Sequence, residues 1–319
     1  MSDVVYFQLT RYSQPLLIFF GTIGAILNQI LFFYRQPLRK SSCSLYFRAL
    51  STNDLLVLYI VILPSWLAAQ FQIDPSQQSY WYCKFKNYFT YSLYTLSPYL
   101  VVLACFDRLC TSSTNTHLRK IATVRVATYL IPSMVLFMFA IYSHVPIWYR
   151  IVPYSSLSYC TISNTTYSKF MGFFLLFILS IIPPVLMIVL CSVTIILLRQ
   201  RRRRVMPVNQ SRLRQRDNQL IKMLFIYVLF NITCTLPFTF TYVLLMLEQP
   251  NYVPEHITFF RLFALLLSVN FSTSFYAYTL STLFYRHELY NLIQHFKVKL
   301  QQINHLHSIQ RTTHESGIT

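Results

Sequence analysis

Uncharged residues gather in seven long runs, and charged residues punctuate the gaps between them. The runs cover 12–34, 55–73, 87–106, 126–149, 170–198, 223–247 and 262–285, each 19 residues or longer. About 20 residues of α-helix cross the hydrocarbon core of a bilayer, so the pattern predicts seven membrane-spanning helices. An eighth uncharged run, 151–168, is rich in Ser, Thr, Asn and Tyr and reads as a loop. The first run follows Arg11 and has no small-residue cleavage site after it, so it reads as a span rather than a removable signal peptide. No repeat of 20–50 residues and no inverted duplication is visible.

Composition agrees. Of 319 residues, 55% are hydrophobic and only 11% charged, where a soluble domain carries about a quarter. A net charge of +18 would direct a soluble chain towards nucleic acid, but the placement of the charges argues otherwise. With the N-terminus outside, Arg35, Arg39, Lys40, Arg48, Arg119, Lys120, Arg125, the arginine run 201–204, Arg212, Arg214, Arg216 and the basic tail all fall inside. With Arg108, Arg199 and Lys222 these make 21 of the 27 Lys and Arg. That is the positive-inside bias. It makes "RQRRRR" a topology anchor beside anionic headgroups, with the lipid bilayer and not nucleic acid as its partner. Of seven cysteines, only Cys83 and Cys160 then lie outside, where disulfides are permitted. Cys43, Cys105, Cys110, Cys191 and Cys234 read as reduced packing residues. Asn164 begins a glycosylation acceptor, Asn-Thr-Thr, in the same outer loop as Cys160.

Ionisable groups within lipid are costly and point to function. Asp54 lies roughly 15 Å into the second helix at ~1.5 Å per residue. Asn28, Ser97, Asn270 and Ser274 fall at comparable depths on the first, third and seventh helices, so oxygen-bearing side chains are expected to converge on Asp54. Such a cluster is either a hydrogen-bonded knot or a site for a small cation, sodium. The third run ends in the pair Asp107-Arg108, and Asp217 lies at the foot of the sixth helix. Arg108 either bridges Asp107 and Asp217 across the bundle or snorkels to headgroups. No catalytic triad, carboxylate pair, metal-ligand spacing or glycine-rich phosphate loop stands in a cleft-like context, so no enzyme is expected.

These residues carry a family resemblance. "GAILN" at 24–28 and "LSTNDLL" at 50–56 resemble the Asn and Asp motifs of helices one and two in rhodopsin-like (class A) G-protein-coupled receptors. "CFDRL" at 105–109 is similar to Asp-Arg-Tyr with Leu109 for Tyr, and "CTLP" at 234–237 to Cys-Trp-x-Pro with Thr235 for Trp. "SFYAY" at 274–278 stands where Asn-Pro-x-x-Tyr belongs and keeps only Tyr278, and "TLFYRHELYNL" reads as the amphipathic helix that follows. The motifs run in order over nearly the whole chain.

The resemblance implies a Cys83–Cys160 disulfide, since Cys83 precedes Arg108 by the family's 25 residues. It implies that Asp107, Arg108, Asp217 and Tyr278 form the switch, and that an outside ligand biases an inactive–active equilibrium. A heterotrimeric G protein would occupy the opened inner cleft, with arrestin and a receptor kinase acting on Ser308, Thr312, Thr313 and Ser316. No cofactor is implied beyond sodium. Departures are Thr235, Asn231 where Phe is usual, Pro98 inside helix three, Cys191 or Ser192 in place of a Tyr, and a seventh helix without its proline. Thr90 stands where amine receptors carry Asp, and Ser268 where opsins carry the retinal lysine. What remains is an aromatic and hydroxyl-rich pocket of Thr90, Tyr91, Tyr94, Phe238, Tyr242 and Arg261, with Glu248 and Glu255 at its rim. Such a pocket suits a short neuropeptide.

The expected molecule is thus an all-α, multi-pass plasma-membrane protein. Residues 1–12 form an extracellular N-terminus, 13–281 a seven-transmembrane helix bundle, 282–299 an amphipathic cytoplasmic helix and 300–319 a disordered tail. Its rivals are a transporter or channel, and a receptor-like protein that binds ligand without signalling.

Overall fold

The computed structural model describes residues 2–34, 42–71, 73–113, 115–154, 157–202, 210–248, 254–281 and parts of 286–301. Side chains are described over 8–33, 42–71, 73–113, 115–153, 159–200, 223–248 and 256–276, and at scattered later positions. Seven helices are long and apolar enough to cross a membrane. They are α1 (Ser2–Tyr34), α2 (Ser42–Phe71), α3 (Tyr80–Ser112), α4 (Val124–Trp148), α5 (Thr165–Gln200), α6 (Gln210–Leu247) and α7 (Pro254–Ser281). The amphipathic helix expected over 282–299 is described only in fragments, within which Leu292 packs into the inner core, and the tail lies outside the described residues apart from Gln301.

Local chemistry sets the helix starts. Ser79, Thr123 and Asn164 each place a side-chain oxygen on the backbone N–H three residues on, at 3.4, 3.3 and 2.9 Å. Each satisfies a donor that the first turn leaves open. Asn164, the glycosylation candidate, is therefore also the N-cap of α5. Prolines account for the irregular turns. α2 and α5 each contain a π-helical segment, Val57–Ile62 and Leu176–Ile181. Pro64 and Pro183 follow directly, and the wider turn makes room for a ring that would otherwise press on the carbonyl four residues back. α3 remains helical through Pro98.

The run read as a loop is more ordered than expected. β1 (Tyr149–Tyr154) and β2 (Leu157–Ile162) form an antiparallel hairpin with Ile151 opposite Cys160. α5 begins at Thr165, ahead of the last charge before the fifth run. The hairpin lacks strict alternation of apolar and polar residues, which is why its pattern did not announce a strand.

α3 buries the largest share of its length and α4 the smallest. α3 is thus the axis of the bundle, while α4 turns Tyr129 and Leu136 outward, both 71% exposed. That outward apolar surface is what a lipid-facing helix presents. An inner core of Phe32, Phe47, Leu100, Ala104, Met223 and Tyr227 joins four helices. An outer core gathers Cys83, Tyr91, Tyr142, Tyr149, Tyr167 and Tyr242 beneath the hairpin. Between α1 and α7 a side chain at Gly21 would stand 2.8 Å from Leu58 Cδ1 and 3.0 Å from Ser272 Cα. A larger residue there would have to push aside the Leu58 side chain of α2 and the Ser272 backbone of α7.

Candidate functional site

Three levels of the bundle carry the chemistry. At the inner end of α3, Arg108 Nη2 donates to Asp107 Oδ2 at 2.7 Å, with side chains only 7% and 3% exposed. A buried guanidinium and carboxylate in direct contact neutralise each other where neither alone would be tolerated. Asp217 lies in α6 and Tyr278 in α7, but both side chains lie outside the described residues. One turn from Arg108, Cys105 Sγ lies 3.7 Å from Cys191 Sγ of α5, where the family's tyrosine is missing.

At mid-depth the Asp54 carboxylate is buried, and it accepts from Ser97 Oγ at 3.0 Å and Ser274 Oγ at 2.6 Å. Three helices therefore meet on it. Asn28 and Asn270 are buried too but do not hydrogen-bond to Asp54, so two of the five expected members stand apart. The Asn270 Oδ1 atom has no partner among the described residues. A member that sequence reasoning missed is Asn53, whose Nδ2 donates to Ser97 Oγ at 2.7 Å and to the Leu93 carbonyl at 2.9 Å. Asn53 orients Ser97, and Ser97 in turn faces Asp54. Thr235, in the place of the family tryptophan, turns its hydroxyl back onto the Asn231 carbonyl at 2.8 Å.

At the outer end, the Cys83–Cys160 disulfide ties β2 to the start of α3 with 5.7 Å between Cα atoms. Asn87 donates to the Cys83 carbonyl at 2.9 Å and lies 3.2 Å from Cys160 Sγ. Below the hairpin, three tyrosine hydroxyls close a ring. Tyr91 and Tyr149 lie 2.6 Å apart, Tyr91 and Tyr242 3.2 Å, and Tyr149 and Tyr242 3.4 Å. Each hydroxyl both donates and accepts, so a three-membered ring satisfies all three. Burial pushes the Tyr149 phenol well above its ordinary range, which keeps its proton in place for donation. Tyr149 had not been singled out in the sequence, since it closes the fourth run with nothing beside it to mark a role.

The other pocket candidates take up separate positions. Phe238 and Tyr242 pack on Phe260 of α7 at 5.3 and 5.9 Å between ring centroids. Tyr94 stacks on Phe271 at 5.0 Å. Thr90 turns its hydroxyl back to the Lys86 carbonyl at 2.7 Å and so does not present it to the centre. Arg261 is half-buried at the top of α7. Of the rim carboxylates, Glu248 pairs with His256 at 2.7 Å, while the Glu255 side chain lies outside the described residues.

Seven membrane helices carry a buried Asp-Arg pair at one end of α3, an aspartate in the polar centre and a disulfide at the other end of α3. The family described as the seven-transmembrane receptors of the rhodopsin family matches residues 26–273. The chain belongs to that family, and is accordingly a multi-pass receptor of the G-protein-coupled kind. A comparison with curated proteins finds no match.

Proposed function

We propose that the protein receives a short extracellular peptide and activates a heterotrimeric G protein, with the N-terminus outside. The observation that carries the proposal is the sealed Asp107–Arg108 pair at the inner end of α3. A guanidinium held this way can exchange its carboxylate partner when a neighbouring helix moves. Asp217 of α6 is the second partner in this reading, and its release frees the inner ends of α3 and α6 for the G protein. A coupled agonist works by binding the open state more tightly than the closed one.

Support for a peptide comes from the outer aromatic and hydroxyl groups. The Tyr91–Tyr149 bond is short, and both bonds to Tyr242 are long. A ligand amide, which both donates and accepts, therefore competes first for Tyr242. At mid-depth, the carboxylate of Asp54 and the two hydroxyl oxygens on it are hard donors that fit a sodium ion. In this reading Asp54, Ser97 and Ser274 hold the ion, which supplies the positive charge a buried carboxylate needs. Replacing Asp54 with Asn is then expected to abolish the sodium dependence of agonist affinity; persistent dependence removes the cation and leaves the hydrogen-bonded knot.

The test of the function is a peptide-library screen read by a panel of G-protein dissociation sensors, with mock-transfected cells and an Arg108→Ala receptor as controls. Activation by a peptide in the wild type, lost in Arg108→Ala at equal surface expression, supports the reading. Saturable peptide binding with no sensor response would instead establish a receptor that binds without signalling. The replaced residues Thr235 and Asn231 would favour that outcome.

A further inference from the structure

We infer that the Arg48 guanidinium of α2, where it lies over Phe33 of α1, is a binding site for the phosphate of an anionic phospholipid. Arg48 lies in the α2 span, six residues or about 9 Å below Asp54 towards the cytoplasmic end. That puts its Cα near the inner edge of the hydrocarbon, with the headgroup layer within reach of its side chain. The orientation rests on the N-out reading above.

The polar contacts between α1 and α2 at this level leave the guanidinium out. Gln29 Nε2 of α1 donates to the Arg48 carbonyl at 2.9 Å and to Thr52 Oγ1 at 2.8 Å. Thr52 in turn donates to the same carbonyl at 3.0 Å. These bonds consume the donors of Gln29 and Thr52 and lock the two helices together. The Arg48 guanidinium rests over the ring of Phe33 at 5.5 Å, and Phe33 is 52% exposed. Its Nε is buried with no hydrogen-bond partner, and no carboxylate meets the group among the described residues.

A cation inside the membrane edge without an acid is costly, and the local sequence supplies none. Residues 35–41, "RQPLRKS", bring three further cations and no acid. Asp107, the acid nearest to the inner end of α3, is already committed to Arg108. The cytoplasmic leaflet is anionic, so the missing counter-charge is available from its phosphates. A planar fork over an aromatic ring is also the geometry that grips a phosphate with two parallel donors. Ordinary snorkelling needs no such stacked ring.

The purified full chain in lipid nanodiscs tests this. Discs of phosphatidylcholine alone are compared with discs containing phosphatidylserine, and with phosphatidylcholine discs given inorganic phosphate. Retained lipid is read by native mass spectrometry and stability by thermal unfolding. The wild type should retain one more phosphatidylserine and unfold at higher temperature in the serine discs, with no response to inorganic phosphate. Arg48→Gln should hold that lipid about fivefold more weakly. Arg48→Lys, which keeps the charge but not the fork, should fall between the two and serves if Arg48→Gln does not fold. Equal lipid retention by the wild type and the variants overturns the site, as does a response to inorganic phosphate equal to that of the lipid. None of these readouts involves a G protein or a peptide, so they stand whether or not the signalling reading does.

Discussion

Removing the hydroxyl of Tyr242 tests the ring that closes the outer end of the bundle. Oxygen–oxygen hydrogen bonds cluster near 2.7–2.8 Å, so the 2.6 Å contact of Tyr91 with Tyr149 is strong and the 3.2 and 3.4 Å contacts of Tyr242 are weak. A net hydrogen bond contributes about 0.5–1.5 kcal/mol, and each Tyr242 bond belongs at the low end. Tyr242→Phe also leaves Tyr91 and Tyr149 paired with each other, so no buried hydroxyl is orphaned. Its expected cost is about 1 kcal/mol. Tyr149→Phe breaks the short bond and leaves Tyr91 only its long one, for about 2 kcal/mol. Thermal unfolding of the purified receptor should show a fall of roughly 2–4 °C for the first variant and about twice that for the second. In double-mutant cycles the Tyr91–Tyr149 coupling should exceed the Tyr91–Tyr242 coupling. If Tyr242→Phe is the more damaging variant, or both cycles are additive, the hydroxyl ring is not what holds these three elements together.

Other outcomes follow from the same geometry. Asp74 caps the turn before α3 and lies 3.5 Å from Lys86 Nζ. Burial opposes its ionisation, but the hydrogen bonds from Ser76 and the nearby Lys86 outweigh that and hold its carboxyl below the usual range. A lowered pKa means stability present above the ordinary value of ~3.9 and lost as pH falls through the folded one. Acid unfolding of the outer end should therefore steepen below about pH 4, and Asp74→Asn should flatten that limb. Gly21→Leu forces α1 from α7 and should cost about 1–3 kcal/mol in thermal stability, with full expression and an unchanged melting curve contradicting the close approach. Asn53→Leu removes the donor that orients Ser97 and should weaken any sodium dependence as Ser97→Ala does, although Asn53 does not touch Asp54.

How much of this was legible beforehand depended on what the sequence punctuates. Charge is excluded from lipid, so the seven spans stood out between their flanking Arg and Lys residues. Asp54 and Arg108 stood out for the same reason, as ionisable groups where few are tolerated. Depth alone placed Ser97 and Ser274 on Asp54, but it could not give the rotation of each helix, and Asn28 and Asn270 turn elsewhere. Asn53 was hidden by its neighbour Asp54, since adjacent residues on a helix face about 100° apart and only contacts show that both matter. The hairpin and Tyr149 were missed because strand pairing is non-local, whereas helical runs declare themselves within one segment.

The account turns on the inner gate, and the most direct measurement is ligand-free G-protein activation by the wild type and Asp217→Ala at matched surface density. If Asp217 holds Arg108 as proposed, losing that charge-assisted bond, worth about 1.5–3 kcal/mol, should raise the active fraction of the receptor roughly tenfold or more. A rise of that order, abolished by adding Arg108→Ala, is the predicted result. Identical basal signals from the wild type and Asp217→Ala, in cells where a constitutively active reference receptor responds, would contradict it.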